Sequence, residues 1–129
     1  MHRGGEGGER HEGGGEQIVQ PTIFADVSNN MTIAREEIFG PRLSVIPFKD
    51  EDHAAQIGND SLYGLASGVW SENLNRALSV ADRIDAGTVW VNMYRASAFM
   101  MPMTGCKDSG LGSENCMDNI RDYFRTKAI

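Results

Sequence analysis

Residues 65–92 read LASGVWSENLNRALSVADRIDAGTVWVN, and this stretch decides the fold class. Leu65 to Trp70 is a short, largely apolar run of strand length. Ser71 follows it as a helix N-cap. Leu74, Ala77, Leu78, Ala81 and Ile84 then recur at the i, i+3, i+4, i+7 spacing that predicts one apolar helix face. Gly87 ends that helix, and Thr88 to Asn92 is a β-branched and aromatic strand. Upstream, Leu43 to Phe48 reads as a buried strand carrying a proline, Pro47. Asp50 to Asn59 reads as a helix capped by Asp50 or Asp52, with Gly58 weakening its last turn. Strand, helix, strand, helix, strand within about 50 residues predicts an α/β fold, a parallel βαβαβ unit with right-handed crossovers.

The flanks are less regular. Ile18 to Phe24 predicts an extended edge segment, because Pro21 cannot donate to a central ladder. Met31 to Ile38 can form one or two helical turns before Gly40-Pro41 stops them. Residues 95–112 are an irregular stretch with four glycine or proline breaks, and a loop of that length is functional or docked against something. Ser113 or Glu114 opens a predicted last helix, with Cys116, Ile120, Tyr123 and Phe124 on one face. Thr126-Lys127-Ala128-Ile129 reads as the start of another strand.

Residues 1–15, MHRGGEGGERHEGGG, hold seven glycines and only Met1 as an apolar side chain. Such a segment cannot offset its ordering entropy by burial. Residues 1–16 are therefore expected to be a flexible glycine-rich lead-in, and 17–129 the folded part. Its paired glycines are not a phosphate loop, which needs a preceding strand and a following Gly-Lys-Ser/Thr.

Composition narrows the function classes. Twelve Lys and Arg against eighteen Asp and Glu leave a net charge of −6, which argues against a nucleic-acid or anionic-membrane partner. A hydrophobic fraction of 40% suffices for a core. No apolar run approaches the roughly 20 residues of a membrane span, and no apolar leader opens the chain. Two cysteines, Cys106 and Cys116, are too few for a disulfide scaffold, so a reducing, cytoplasmic setting is expected. His2, His11 and His53 have no metal-ligand spacing with the cysteines or carboxylates.

Five short motifs stand in one order along the chain. They are Arg-Glu-Glu-Ile-Phe-Gly-Pro at 35–41, led by QPTIFADV at 20–27; Tyr-Gly-Leu-Ala at 63–66; GTVWVN at 87–92; KDSGLG at 107–112; and Tyr123 with Thr126-Lys127. In this order and spacing the chain resembles the aldehyde dehydrogenase superfamily over residues 17–129, specifically the C-terminal part of its catalytic domain, about the last quarter of such an enzyme. The resemblance implies NAD(P)-dependent oxidation of an aldehyde to a carboxylic acid. A cysteine thiolate forms a thiohemiacetal, hydride passes to the nicotinamide, and a glutamate-activated water hydrolyses the thioester. In family members that cysteine, that glutamate and most of the cofactor site lie upstream of this region. Cys106 stands where the family pattern has an aromatic residue and Cys116 where it has glycine, so both read as small buried or loop thiols. The chain alone is expected to be inactive. The alternative is a non-catalytic fragment acting at most as a binding or oligomerisation module. An unrelated flavodoxin-like domain would leave the five motifs unexplained.

The resemblance also assigns roles by residue. Glu37 is implied to accept hydrogen bonds from the nicotinamide-ribose hydroxyls of NAD or NADP, a task a carboxylate suits because it takes two donors at once. From the residues alone it is an exposed glutamate in a helical turn. Phe39 is implied to pack near the nicotinamide and also reads as a core phenylalanine. Asn92, Arg95, Ser97 and Met103 are implied to line the aldehyde tunnel, at the carboxyl end of a parallel strand. Arg95 can pair with an acidic substrate group or be a solvated arginine. The loop is Met-rich where relatives carry aromatics, a composition that favours packing. Glu114 resembles a glutamate of a proton path, or is an acid at a helix N-terminus. Thr126 to Ile129 is implied to begin a C-terminal strand used in homo-oligomer assembly. The family's Pro-Phe-Gly-Gly appears here as Pro102-Met103-Thr104-Gly105, and its Gly-Arg-Glu run as Gly112-Ser113-Glu114. The lost arginine removes an expected ion pair.

Overall fold

The computed structural model describes residues 19–129, and the lead-in expected over 1–16 lies outside them, as do His2 and His11. The chain divides into two units, Met1–Pro47 and Phe48–Ile129.

In the first unit β1 (Thr22–Phe24) pairs in parallel with β2 (Arg42–Ser44), Ile23 opposite Leu43. Pro21 stands just before this ladder, where its missing N–H breaks no hydrogen bond. The pairing continues past the strands: the Val45 N–H donates to the Phe24 carbonyl at 2.8 Å and the Val27 N–H to that of Val45 at 3.1 Å. Val27 is buried. The expected Leu43–Phe48 strand thus shrinks to three residues and is exposed at Leu43. Two short strands and one helical turn form no second layer to bury a sheet face. That turn is α1 (Thr32–Arg35); Met31 offers no capping side chain, and Glu36 is already extended. Glu37 therefore lies beyond the helix, in irregular backbone, and not on a helical turn.

The second unit holds the crossover on which the fold class turned. β4 (Ala66–Val69) and β5 (Thr88–Val91) are parallel and in register, Ala66 opposite Thr88 through Val69 opposite Val91. Between them runs α3 (Leu74–Asp82), packed against both strands. The chain is α/β, with parallel pairing in each unit. Before the crossover lie α2 (Glu51–Asn59) and β3 (Tyr63–Gly64). Asp50 caps α2, its carboxylate accepting from the His53 N–H at 2.8 Å. The cap of α3 is Asn73, accepting from the Arg76 N–H at 3.1 Å, in place of the expected Ser71. Ser71 sits two residues earlier and turns the chain toward Asn73, its hydroxyl accepting the Asn73 N–H at 3.2 Å.

The buried stripe of α3 is also rotated from the expected one. Ala77 and Val80 are buried and Ala81 and Ile84 half-buried, whereas Leu74 is 58% and Leu78 52% exposed. Small side chains fit where the helix lies on the two strands, and the leucines fall to the flank.

Residues 95–112 are docked, not free. β6 (Met103–Thr104) pairs antiparallel with β8 (Ser113–Glu114), and β7 (Cys106–Lys107) with β3. The predicted helix from Ser113 is corrected: that residue and Glu114 are strand, and a 3₁₀ helix follows over Met117–Tyr123. Cys116 at φ 65° breaks the helical path between them. Ile120, Tyr123 and Phe124 are exposed, so they form no buried face. Residues 126–129 form no helix or strand in this chain. No helix among the described residues is long and apolar enough to cross a membrane.

The motifs at 63–66, 87–92 and 107–112 interlock through hydrogen bonds on Gly64. The Gly87 N–H donates to the Gly64 carbonyl at 3.0 Å, and the Gly64 N–H to the Ser109 hydroxyl at 3.0 Å. The Lys107 ammonium donates to the Asn59 carbonyl at 2.9 Å, at the C-terminus of α2, and lies 3.5 Å from the Asp85 carboxylate. The same carbonyl accepts the Ser61 N–H at 2.8 Å, and a cation at this helix end favours the helix dipole. A Cβ on Gly87 would overlap the Thr104 carbonyl oxygen, a backbone atom that cannot rotate away. Gly87→Ala is expected to destabilise the unit by about 1–3 kcal/mol. Thermal unfolding checks this, and an unchanged midpoint would contradict the close approach.

Candidate functional site

β4 and β5 end side by side at Val69 and Val91, and the residues beyond them carry the expected substrate positions. Asn92 is left-handed at φ 53°. Its N–H continues the ladder to the Val69 carbonyl at 2.8 Å. Its side-chain oxygen accepts the Ser71 N–H at 2.8 Å, and its amide nitrogen donates to the Ser71 carbonyl at 2.9 Å. The side chain is thus committed to tying the two strand ends together. Asn is the residue type that tolerates this backbone while offering both a donor and an acceptor.

A second left-handed residue, Arg95 at φ 58°, turns the loop back over β5. There the Trp90 indole N–H donates to the Ala96 carbonyl at 2.6 Å. Tyr94 packs edge-on to Trp90 with centroids 5.5 Å apart, and lies 6.3 Å from Trp70. The reversal leaves a small cleft of about 20 Å³, room for about one water. Ser97 and Met103 border it, as do Thr88, Trp90 and Asn115. Arg95 is exposed and outside that lining. Met93, Met100 and Met101 are also exposed, which corrects the reading of this methionine run as packing.

Glu114 is brought beside this cleft by the β6–β8 ladder, directly opposite Met103. It is exposed and three residues short of the 3₁₀ helix, so it is not a helix N-terminal acid. Asn115 and Cys116 follow at φ 61° and 65°, and the Cys116 N–H donates to the Phe99 carbonyl at 3.0 Å. That bond ties the far side of the cleft to the loop. Cys106 and Cys116 are both free and half-buried.

Glu37 and Phe39 belong to the first unit. The Glu37 carboxylate is exposed and has no hydrogen bond or ion pair among the described residues. Phe39 is 93% exposed with φ 50°, which corrects the core reading. A bulky residue in that region carries about 1–3 kcal/mol of strain. Residues 37–39 thus hold out an acceptor for two hydroxyls and an aromatic face.

Sequence reasoning missed Thr88, Trp90 and Asn115 as cleft residues. Trp90 was legible only as one residue of a strand motif. Asn115 follows an expected helix start that the structure replaces with strand. No group of three or more metal-binding side chains occurs among the described residues.

The sequence profile of the aldehyde dehydrogenase family matches residues 2–129. The chain belongs to the aldehyde dehydrogenase family. Betaine aldehyde dehydrogenase of Rhizobium leguminosarum bv. trifolii is 47% identical over 111 residues, covering 86% of this chain and 23% of the relative. Aldehyde dehydrogenase of Davidiella tassiana is 43% identical over 124 residues, 96% of this chain and 25% of the relative. Among solved structures, Mycobacterium tuberculosis aldehyde dehydrogenase complexed with NAD+ superposes with a TM-score of 0.79 and 44% identity, over 83% of this chain and 22% of that one. The chain therefore spans about a quarter of the length of these aldehyde dehydrogenases.

Proposed function

We propose that residues 17–129 are the C-terminal portion of the catalytic domain of an NAD(P)-dependent aldehyde dehydrogenase, an oxidoreductase that converts an aldehyde to a carboxylic acid. The family match along residues 2–129 carries this reading. The nicotinamide-ribose end of the cofactor fits residues 37–39: a carboxylate with no competing partner among the described residues, and an aromatic ring held in solvent by strained backbone. NAD or NADP, when bound, supplies the hydride acceptor. Glu37 would accept from two ribose hydroxyls, and Phe39 would flank the ring. On the substrate side, Ser97 offers a hydroxyl, Met103 an apolar wall and Arg95 a cation for an acidic group. Asn92 holds the strand ends from which that loop springs. The carboxylate oxygens of Glu114 would take and release a proton beside Met103. Homo-oligomer assembly through the segment from Thr126, and a cytoplasmic setting in which both cysteines stay reduced, complete the proposal.

The test is a splice. Residues 17–129 replace the matching segment of the Rhizobium leguminosarum relative, and reduced nicotinamide is followed by absorbance. Aldehyde-dependent turnover is expected, and a folded splice with none would refute the reading. The 129-residue chain by itself is expected to give no turnover, since neither thiol stands in the context of the family's nucleophile. Turnover that vanishes in Cys106→Ser would overturn that expectation and make Cys106 the nucleophile.

A further inference from the structure

We infer that Trp90 is the positioning residue of the loop that carries Arg95 and Ser97. Trp90 is anchored in β5, four residues whose backbone is paired to β4 in register. The loop has no strand partner until Met103. Between these points the Cys116 N–H holds the Phe99 carbonyl at 3.0 Å, and among the described residues the tie back to the β4–β5 pair is a side-chain hydrogen bond, from the Trp90 indole to the Ala96 carbonyl at 2.6 Å. Two features make that return possible. Left-handed Asn92 and Arg95 reverse the chain direction within four residues. Tyr94, edge-on to Trp90 at 5.5 Å, buttresses the ring in the orientation that aims its N–H at Ala96. Trp90 also borders the cleft beside Ser97 and Met103, so the ring that pins the loop is one of the cleft walls. Its loss would free Ser97 and alter the wall together.

The role of this loop toward an aldehyde rests on the function proposed above; the anchor itself does not. The experiment therefore reads the anchor alone, in the full 129-residue chain. Trp90 is replaced by benzothienylalanine, which keeps the bicyclic shape and drops the N–H. Hydrogen exchange is followed by mass spectrometry in two segments. The loop probe is 98–103, where the Met101 N–H is bonded to the Ala98 carbonyl at 2.9 Å. The sheet probe is 88–92, bonded to β4. Removing one hydrogen bond is expected to speed loop exchange about two- to tenfold, while the sheet segment stays within about twofold. 5-Fluorotryptophan at the same position keeps the N–H and is expected to restore slow loop exchange. Tyr94→Ala is expected to reproduce the loop effect by removing the buttress. Equal acceleration in both segments would make Trp90 a stability residue and overturn the inference, as would no change in either. Neither result touches the splice experiment, whose failure would instead remove the aldehyde from the account.

Discussion

The 129-residue chain is expected to sediment as a self-associated species and not as a 14.1 kDa monomer. Among the described residues only Val27, Ala55, Ala77 and Val80 are buried apolar side chains. Far larger ones are exposed: Leu43, Trp70, Leu74, Leu78, Phe99 and Phe124. Among the described residues each sheet has two strands, so every strand keeps one edge without a sheet partner there. Open edges and apolar surface are the usual routes to association. Burying about 500 Å² of apolar surface at about 25 cal/mol/Å² supplies roughly 12 kcal/mol gross, before the entropy of association. The net charge of −6 opposes this, but spread over the chain and screened by physiological salt it is the smaller term. Light scattering and sedimentation in physiological salt decide the matter. A sharp monomer with cooperative unfolding would sink the prediction. Placing charge at Leu74 and Leu78 together is expected to lower the associated fraction, because the two lie one turn apart on the exposed flank of α3.

The second large effect concerns Glu37. In the spliced enzyme, Glu37→Gln is expected to weaken NAD binding about 10- to 100-fold. The substitution keeps the shape and one acceptor but removes the charge. Hydrogen bonds to a charged group contribute about 1.5–3 kcal/mol, and each 1.4 kcal/mol is a factor of ten. Fluorescence titration of the splice measures this, and unchanged affinity would remove Glu37 from the cofactor site. The isolated chain tests the converse. One charge-assisted contact does not offset an association cost of several kcal/mol, so calorimetry on the 129-residue chain is expected to detect no micromolar binding. A micromolar dissociation constant lost in Glu37→Ala would contradict that.

Local chemistry was legible in the linear chain. The Asp50 cap and the break of α1 before Gly40 each depend on residues within a few positions of one another, and the elements of the β4–α3–β5 crossover each show their own local pattern. The family was legible too, because its motifs are contiguous strings. Those strings named Ser97, Met103 and Glu114 as residues to test; in the structure Ser97 and Met103 border one cleft, and the β6–β8 ladder sets Glu114 opposite Met103.

Tertiary structure decided what sequence neighbours could not. β3 finds β7 more than 40 residues away, and both strands are two residues long, too short to show a period of two. The sequence placed an amphipathic helix over 74–84, but which of its apolar residues face the sheet depended on the space over β4 and β5. That space admits Ala77 and Val80 and leaves Leu74 and Leu78 outside. Glu114 became strand instead of helix because its partner, Met103, comes from the other end of the loop. The commitment of Asn92 to Ser71 and the return of the loop onto Trp90 arise for the same reason. By itself the sequence determined the α/β class, the family and the residues to test. Long-range pairing, through backbone ladders and the Trp90 side chain, decided which of those residues share a cleft, since a two-residue strand or a single side-chain hydrogen bond leaves no periodic trace in the chain.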